Sequence, residues 1–247
     1  MSGHSKWATT KHKKAAIDSK RGKIFTKVIK EITVAARIGG GDPEGNARLR
    51  TVIQKAKESN MPADNIKKAI QKGTGELPGV SYEEAVFEGY GPGGVAVIAS
   101  IMTDNRNRTV PEIRHIFGKH GGNMGEAGCV SWMFDKKGYI VVEGGKVDEE
   151  KLMNIIVEAG AEDMRRDGDN FEVITNPGDL EAVKKMIEDG GIKVALSEVT
   201  MLPKNYVELD DKSVVQVLRL IEALEDNDDV QNVYSNIIVR DEVLENI

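Results

Sequence analysis

The chain has 247 residues, 40% of them hydrophobic and 30% charged, with a formal net charge of −6. That length suits one large domain or two to three small ones, and the composition allows real cores in a soluble protein. One cysteine, Cys129, excludes a disulfide framework and fits a reducing compartment. The longest apolar run, Val95 to Met102, is far short of a membrane span. The N-terminus lacks the apolar core of a secretion signal, so a cytoplasmic protein is expected. Aromatic residues, at 5%, argue against a stacking platform for single strands.

The net charge conceals a division. Residues 1–72 hold 17 Lys/Arg against 6 Asp/Glu, whereas residues 73–247 hold 17 against 34. A basic module joined to an acidic body points to a polyanion partner, normally nucleic acid.

The opening segment carries His4, Lys6, Trp7, Lys11, His12, Lys13 and Lys14, with too little apolar content to bury itself. It is expected to be a mobile arm that contacts nucleic acid. A first helix is predicted over residues 19–38. At 100° per residue, Ile24, Phe25, Val28, Ile29, Ile32, Ala35 and Ala36 share one sector. Lys20, Lys23, Lys27, Lys30 and Arg37 share another and read as a cationic stripe, with Arg21 beside it. Gly39-Gly40-Gly41 ends the helix. Asp42-Pro43 is expected to cap a second helix over 43–59, burying Leu49, Val52, Ile53 and Ala56 and flanked by Arg48, Arg50, Lys55 and Lys57. A third helix begins at Pro62, buries Ala63, Ile66, Ala69 and Ile70, and stops at Gly73. Three such helices make a small bundle. No helix carries a clear base-reading set of Asn, Gln and Arg, so backbone or shape recognition is expected.

After a linker at 73–79 the pattern changes to short strands and helices. Strands are predicted at about 82–89, 95–103 and 129–135, with a helix at about 110–120 opened by a capping box, Thr109 to Glu112. Residues 138–200 then read β-α-β-β-α-β, the ferredoxin-like order. A helix at about 211–225 and a strand at about 231–239 remain, and they supply what the first body unit lacks. The expected architecture is α+β with three domains: an N-terminal three-helix bundle followed by two ferredoxin-like α/β-sandwich domains, the third inserted into the second. The limits are 1–75, 80–136 plus 204–247, and 137–203.

Gly89-Tyr90-Gly91-Pro92-Gly93-Gly94 matches a dinucleotide-binding pattern, but a strand follows where that site needs a helix, so a hairpin turn is expected. His115 and His120 lie off a common helix face, and Cys129 has no partner cysteine; no metal or cofactor is expected. No nucleophile–base pair can be argued, so the chain is not read as an enzyme and no small-molecule substrate is expected. Asn105, Arg106, Asn107 and Arg108 join an apolar strand to a helix. Asn residues there suit a structural turn; the two arginines, in an acidic body, equally suit a second nucleic-acid contact. The strand at 95–102 is apolar on both faces, so its outer face must meet another domain or a protein partner.

Gly3-His4-Ser5-Lys6-Trp7-Ala8, Phe25-Thr26-Lys27, Gly39 to Pro43, Arg48-Leu49-Arg50, Asn60-Met61-Pro62, Gly89 to Gly94 and Thr103 to Thr109, spread over the whole chain, together resemble the YebC family. The resemblance implies a non-enzymatic cytoplasmic protein. Members are described as DNA-binding transcriptional regulators, while others act in translation: the mitochondrial relative is a translational activator, and some bacterial relatives help ribosomes through proline-rich stretches. Thr9-Thr10, Ala47 and Cys129 depart from the family's usual Asn-Ile, Pro and Ser, and none of these removes a basic residue. The expected function is therefore a DNA-binding transcriptional regulator that grips phosphates with its basic module. A ribosome-associated translation factor binding structured RNA is the alternative.

Overall fold

The computed structural model describes residues 21–240 and Val243. Three helices come first: α1 (Arg21–Gly39), α2 (Ala47–Glu58) and α3 (Ala63–Thr74). Val28, Ile32, Ala35 and Ala36 of α1 are buried against Leu49, Val52 and Ala56 of α2 and Ile66 and Ala69 of α3. Small residues bring α1 and α3 close: a Cβ on Gly73 would stand 2.4 Å from the Thr33 carbonyl oxygen. α2 starts at Ala47, later than the Asp42-Pro43 signal predicts, because Asn46 is the better cap. Its Oδ1 accepts the Leu49 N–H at 3.0 Å, while its Nδ2 donates to the Ala35 and Gly40 carbonyls at 2.8 Å each. One side chain thus closes the end of α1 and the start of α2.

The body continues as β1 (Glu83–Tyr90), β2 (Ala96–Thr103), α4 (Arg106–Lys119), β3 (Asn123–Met124) and β4 (Phe134–Glu143). There follow α5 (Glu149–Glu158), β5 (Asp163–Asp167), β6 (Asn170–Thr175), α6 (Leu180–Asp189), β7 (Val194–Pro203), α7 (Asp211–Glu225) and β8 (Val230–Ser235). The strands form two antiparallel four-stranded sheets, ordered β3-β1-β2-β8 and β5-β6-β4-β7. The architecture is the expected α+β one, with the second sheet's strands intervening in sequence between β3 and β8.

The second sheet has the ferredoxin-like spatial order. The first has the same spatial order with different connectivity: β1 turns directly into β2, and the strand that should lie between them in sequence arrives last, as α7 and β8. The turn is the glycine-rich segment, and a hairpin it is, with Tyr90 paired to Ala96. Gly93 sits at φ 71°, a conformation side-chain-bearing residues rarely adopt, and a Cβ there would meet Leu209 at 2.6 Å.

Three strand and cap expectations need correction. The strand predicted at 129–135 is not a separate element: residues 131–133 form a 3-10 turn and Phe134 opens the ten-residue β4, which Gly138 does not interrupt. The fourth strand of the first sheet is instead the two-residue β3, too short for any periodicity to reveal. α4 starts at Arg106 with Asn105 as its cap, so the Thr109 signal lies inside the helix.

α4 and α7 cover one face of the first sheet, burying Val97, Ala99 and Ile101 against Ile113, Phe117, Val217, Leu220 and Leu224. α5 and α6 cover the second sheet in the same way. The outer face of β2 is covered from within the chain, since Ala96 and Ile98 pack on Val130, Phe134, Met201 and Tyr234. Burial and the nearby Glu198 of β7 and Glu31 of α1 push the Tyr234 phenol up to about 12, so bundle and both sheets converge there. No helix among the described residues is long and apolar enough to cross a membrane.

Ending the chain at Pro203 removes α7 and β8, and with them Val214, Val217, Leu220, Ile221 and Leu224 from the first sheet's core. Amides of β1 and β2 are expected to lose hydrogen-exchange protection in that truncation while those of β4 and β6 keep theirs. Retained protection in β1 and β2 would show that the first sheet does not need the terminal helix and strand.

Candidate nucleic-acid interface

Of the predicted contacts, His4, Lys6, Trp7, Lys11, His12, Lys13, Lys14 and Lys20 lie outside the described residues. Arg21 opens α1. The remaining cations of the α1 stripe are engaged by the body, Lys30 buried and Lys27 half-buried, Lys23 and Arg37 exposed beside their partners. Lys23 Nζ lies 3.1 Å from Asp226 Oδ1, and Lys27 Nζ donates to the Glu225 carbonyl at 2.6 Å. Arg37 donates to Ser81 Oγ at 2.6 Å and to the Tyr82 carbonyl. Their acceptors include carbonyls at the C-terminal end of α7, where the helix dipole is negative and the turn Glu225-Asp226-Asn227-Asp228-Asp229 adds carboxylates.

Lys30 shows the arrangement most fully. It is 7% exposed. Its ammonium lies 2.6 Å from Asp229 Oδ1 and 2.9 Å from the Asp228 carbonyl, reaches toward the Met102 carbonyl, and stands 5.6 Å from the centre of the Tyr82 ring. Reading Lys30 as a phosphate contact is therefore corrected: no outside phosphate reaches it while the bundle is seated.

Asp229 is the hub. Its second oxygen accepts from Arg108 at 2.6 Å and lies 2.7 Å from the Thr109 hydroxyl and 3.1 Å from that of Thr103. Its side chain is 4% exposed. Burial alone would raise its pKa, but the bonds from Lys30, Thr109 and Arg108 overcome that and bring it down to about 2. The predicted turn is thereby explained. Asn105 caps α4 by accepting the Arg108 N–H at 3.1 Å, and Arg108 bridges Asp104 and Asp229. These two residues are structural. Arg106 and Asn107 are exposed and have no ion pair or hydrogen bond among the described residues.

On α2, Arg48 is also engaged. It pairs with Glu31 at 2.8 Å and grips Glu84 of β1 through both terminal nitrogens. Arg50 donates to the Pro43 and Glu44 carbonyls. Lys55 is exposed, as are Lys57, Lys67, Lys68 and Lys72, and none of the five has an ion pair among the described residues. The last three were not singled out by sequence reasoning, which weighed α1 above α3. Their spacing around the buried Ile66 and Ala69 was the available signal. Asp229 was missed as well, lying in a run of acids that reads as a solvated turn.

Glu88 of β1 is a second buried carboxylate, 5% exposed. It accepts N–H bonds from Gly128 at 2.9 Å, Val130 at 2.9 Å and Ser131 at 2.7 Å. Burial would raise it; the three bonds outweigh that and hold it below the ordinary carboxylate range. It fixes the loop that crosses the outer face of β2.

Because Asp229 titrates lower when folded, its contribution is present above its ordinary value near 3.8 and is lost as pH falls toward about 2. It is worth on the order of 2 kcal/mol. Urea melts at pH 7, 4 and 2.5 are expected to show that loss between the last two. Asp229→Asn is expected to lose about 3–5 kcal/mol at pH 7, because Lys30 stays buried without its counter-charge. A variant as stable as the parent would remove Asp229 from this role.

Comparison with known proteins places the chain. A model of the TACO1/YebC N-terminal domain matches residues 5–76, and one of the second and third TACO1/YebC domains matches residues 82–237. A protein of Desulfosudis oleivorans is 60% identical over 243 residues, covering 98% of this chain and 99% of its own; one of Acidobacterium capsulatum is 61% identical over 236 residues, covering 96% of each. Both are named probable transcriptional regulatory proteins. The crystal structure of a conserved hypothetical protein from Aquifex aeolicus superposes with a TM-score of 0.80 at 47% identity, covering 92% of this chain and 94% of the other. With both halves matched, the chain belongs to the TACO1/YebC family.

Proposed function

We propose that this protein is a nucleic-acid-binding regulator whose N-terminal arm and the solvent face of α2 and α3 grip phosphates, and that it acts by binding rather than catalysis. One observation carries the proposal: Lys55, Lys57, Lys67, Lys68 and Lys72 stand exposed and without ion pairs among the described residues. The charge that α1 contributes is meanwhile consumed in seating the bundle. Arg106, exposed on the body, is a further contact. Counterion release from such a surface supplies affinity without sequence choice. The names of the relatives speak for a role in transcription, with duplex DNA as the ligand. The division of labour follows the limits 1–75, 80–136 plus 204–247, and 137–203, with the body as the seat of the basic module.

Structured RNA, as in a translation factor, is the second reading. It is favoured by the shortage of base readers on α2 and α3, where Gln71, for instance, is turned to Glu76.

Charge reversal of Lys67, Lys68 and Lys72 to Glu is expected to weaken binding of duplex DNA and lower the magnitude of the salt slope by about 2 to 3, at an unchanged melting temperature. Reversal of Lys11, Lys13 and Lys14 should do the same. Lys30→Met should instead lower stability while leaving the slope in place. Titrations against duplex DNA and a stem-loop RNA of equal charge, at several salt concentrations, decide the ligand. Equal slopes in all variants would overturn the phosphate-gripping role.

A further inference from the structure

The first sheet ends in a feature that neither the cores nor the basic module use. Trp132 is 62% exposed and Tyr90 37%. They lie 42 positions apart in sequence, yet both donate to one acceptor: the Trp132 Nε1–H and the Tyr90 hydroxyl each reach the Cys129 carbonyl at 3.2 Å. A shared acceptor brings the polar tips of the two rings to one carbonyl. The loop beneath them is held firmly. Cys129 sits between Gly128 and Val130, whose N–H groups both go to the buried Glu88 carboxylate, and Val130 is fully buried against Ala96, Ile98 and Phe134. The core in this region is thus filled by other side chains, and two flat rings are left outside with their polar tips already satisfied.

The surroundings are of mixed charge, with the buried Glu88 and the exposed Glu126 both near Cys129. The adjoining segment from Gly118 to Gly128 contains five glycines, and Gly122 packs directly on the Tyr90 carbonyl, so this flank is largely bare backbone. Exposed Lys119 and half-buried His120 lead into that segment, and exposed Lys136 lies near Glu84 on the outer side of β1. Along the same face of β1, Tyr90 is followed toward the N-terminus by the buried Glu88, by Val86, 53% exposed, and then by Glu84, which is held by Arg48 of α2. Six strand residues, about 20 Å, separate the basic bundle from the aromatic pair.

We propose that Tyr90 and Trp132 form a stacking platform for an unpaired nucleobase of the polynucleotide that the basic module holds. The inference rests on the nucleic-acid reading above and adds a preference to it: the ligand has an unstacked base, in a single strand, loop or bulge, beside the phosphates gripped by α2 and α3. Every base has a π-face, so the platform selects strandedness and not sequence.

The test uses the full chain, a 20-nucleotide single strand, a stem-loop RNA and a blunt duplex of matched charge. In a Trp7→Phe background, where Trp132 is the sole tryptophan, emission is expected to be quenched by the single strand and by the stem-loop and left alone by the duplex. Trp132→Ala and Tyr90→Ala should each weaken single-strand binding roughly 5- to 100-fold, with duplex affinity and salt slope unchanged. Binding of single strand and duplex alike, with no quench and no loss in Trp132→Ala, overturns the platform alone and leaves the pair as a protein-contact surface. If none of the three polynucleotides binds at low salt, the phosphate-gripping reading falls with it.

Discussion

A single carboxylate holds three parts of this chain in register. Asp229 stands at the turn between α7 and β8, accepts hydrogen bonds from an ammonium of α1 and a guanidinium of α4, and lies against two threonine hydroxyls, one at the end of β2 and one in the first turn of α4. Burying a carboxylate alone is prohibitive, and burying one with two cations and two hydroxyls is tolerable only when the geometry is complete. That condition makes the hub selective. If α1 rotates by one residue, or if β8 slips against β2, an uncompensated charge is left inside. The Asp229 backbone carbonyl accepts the Met102 N–H at 2.8 Å, so the residue that anchors the bundle also continues the sheet ladder. Packing alone would not orient the bundle so sharply, since its own core of Ile32, Leu49 and Ala56 is complete without the body.

The connectivity of the first sheet makes this hub a late arrival. Its central hairpin, β1 and β2, is local, but α7 and β8 come more than a hundred residues later, after the whole second sheet. Contacts of such separation carry a large loop-closure cost. The second sheet softens that cost. β7 runs beside β4, and the Lys204 N–H returns to the Met133 carbonyl at 2.8 Å, so the intervening unit brings its two ends together once folded. A folded insert therefore acts as a short loop, and β8 is delivered next to β2.

How far the sequence disclosed all this varies with the kind of signal. The apolar sector of α1 was legible because burial obeys a fixed period, and Val28, Ile32, Ala35 and Ala36 are the residues that pack. The same period grouped Lys23, Lys27 and Lys30 but could not say what faces them. A helical wheel records which side chains share a side, and here that side meets the α7 terminus. The turn at 103–109 was balanced between two roles; Asn105 caps α4 locally, and Arg108 pairs with Asp229, over a hundred residues away, where no local pattern could show it. Composition said nothing of where the few aromatics would lie. Few rings suffice when tertiary structure sets two of them on one carbonyl, and no local pattern connects Tyr90 with Trp132.

The division of cations has an electrostatic consequence. Were α1 exposed, the bundle would offer positive charge all round and a polyanion could settle on it in many orientations. Because the 225–229 turn takes up Lys23, Lys27 and Lys30, the bundle's lysines without ion pairs among the described residues are those of α2 and α3. The body's own excess of acids repels phosphate, so the combined field favours one direction of approach. On the outer side of β1, exposed Lys136 lies near Glu84, the carboxylate that Arg48 holds. An acidic body thus orients a basic binding module in two ways, by seating one of its helices and by repelling ligand from nearly everywhere else.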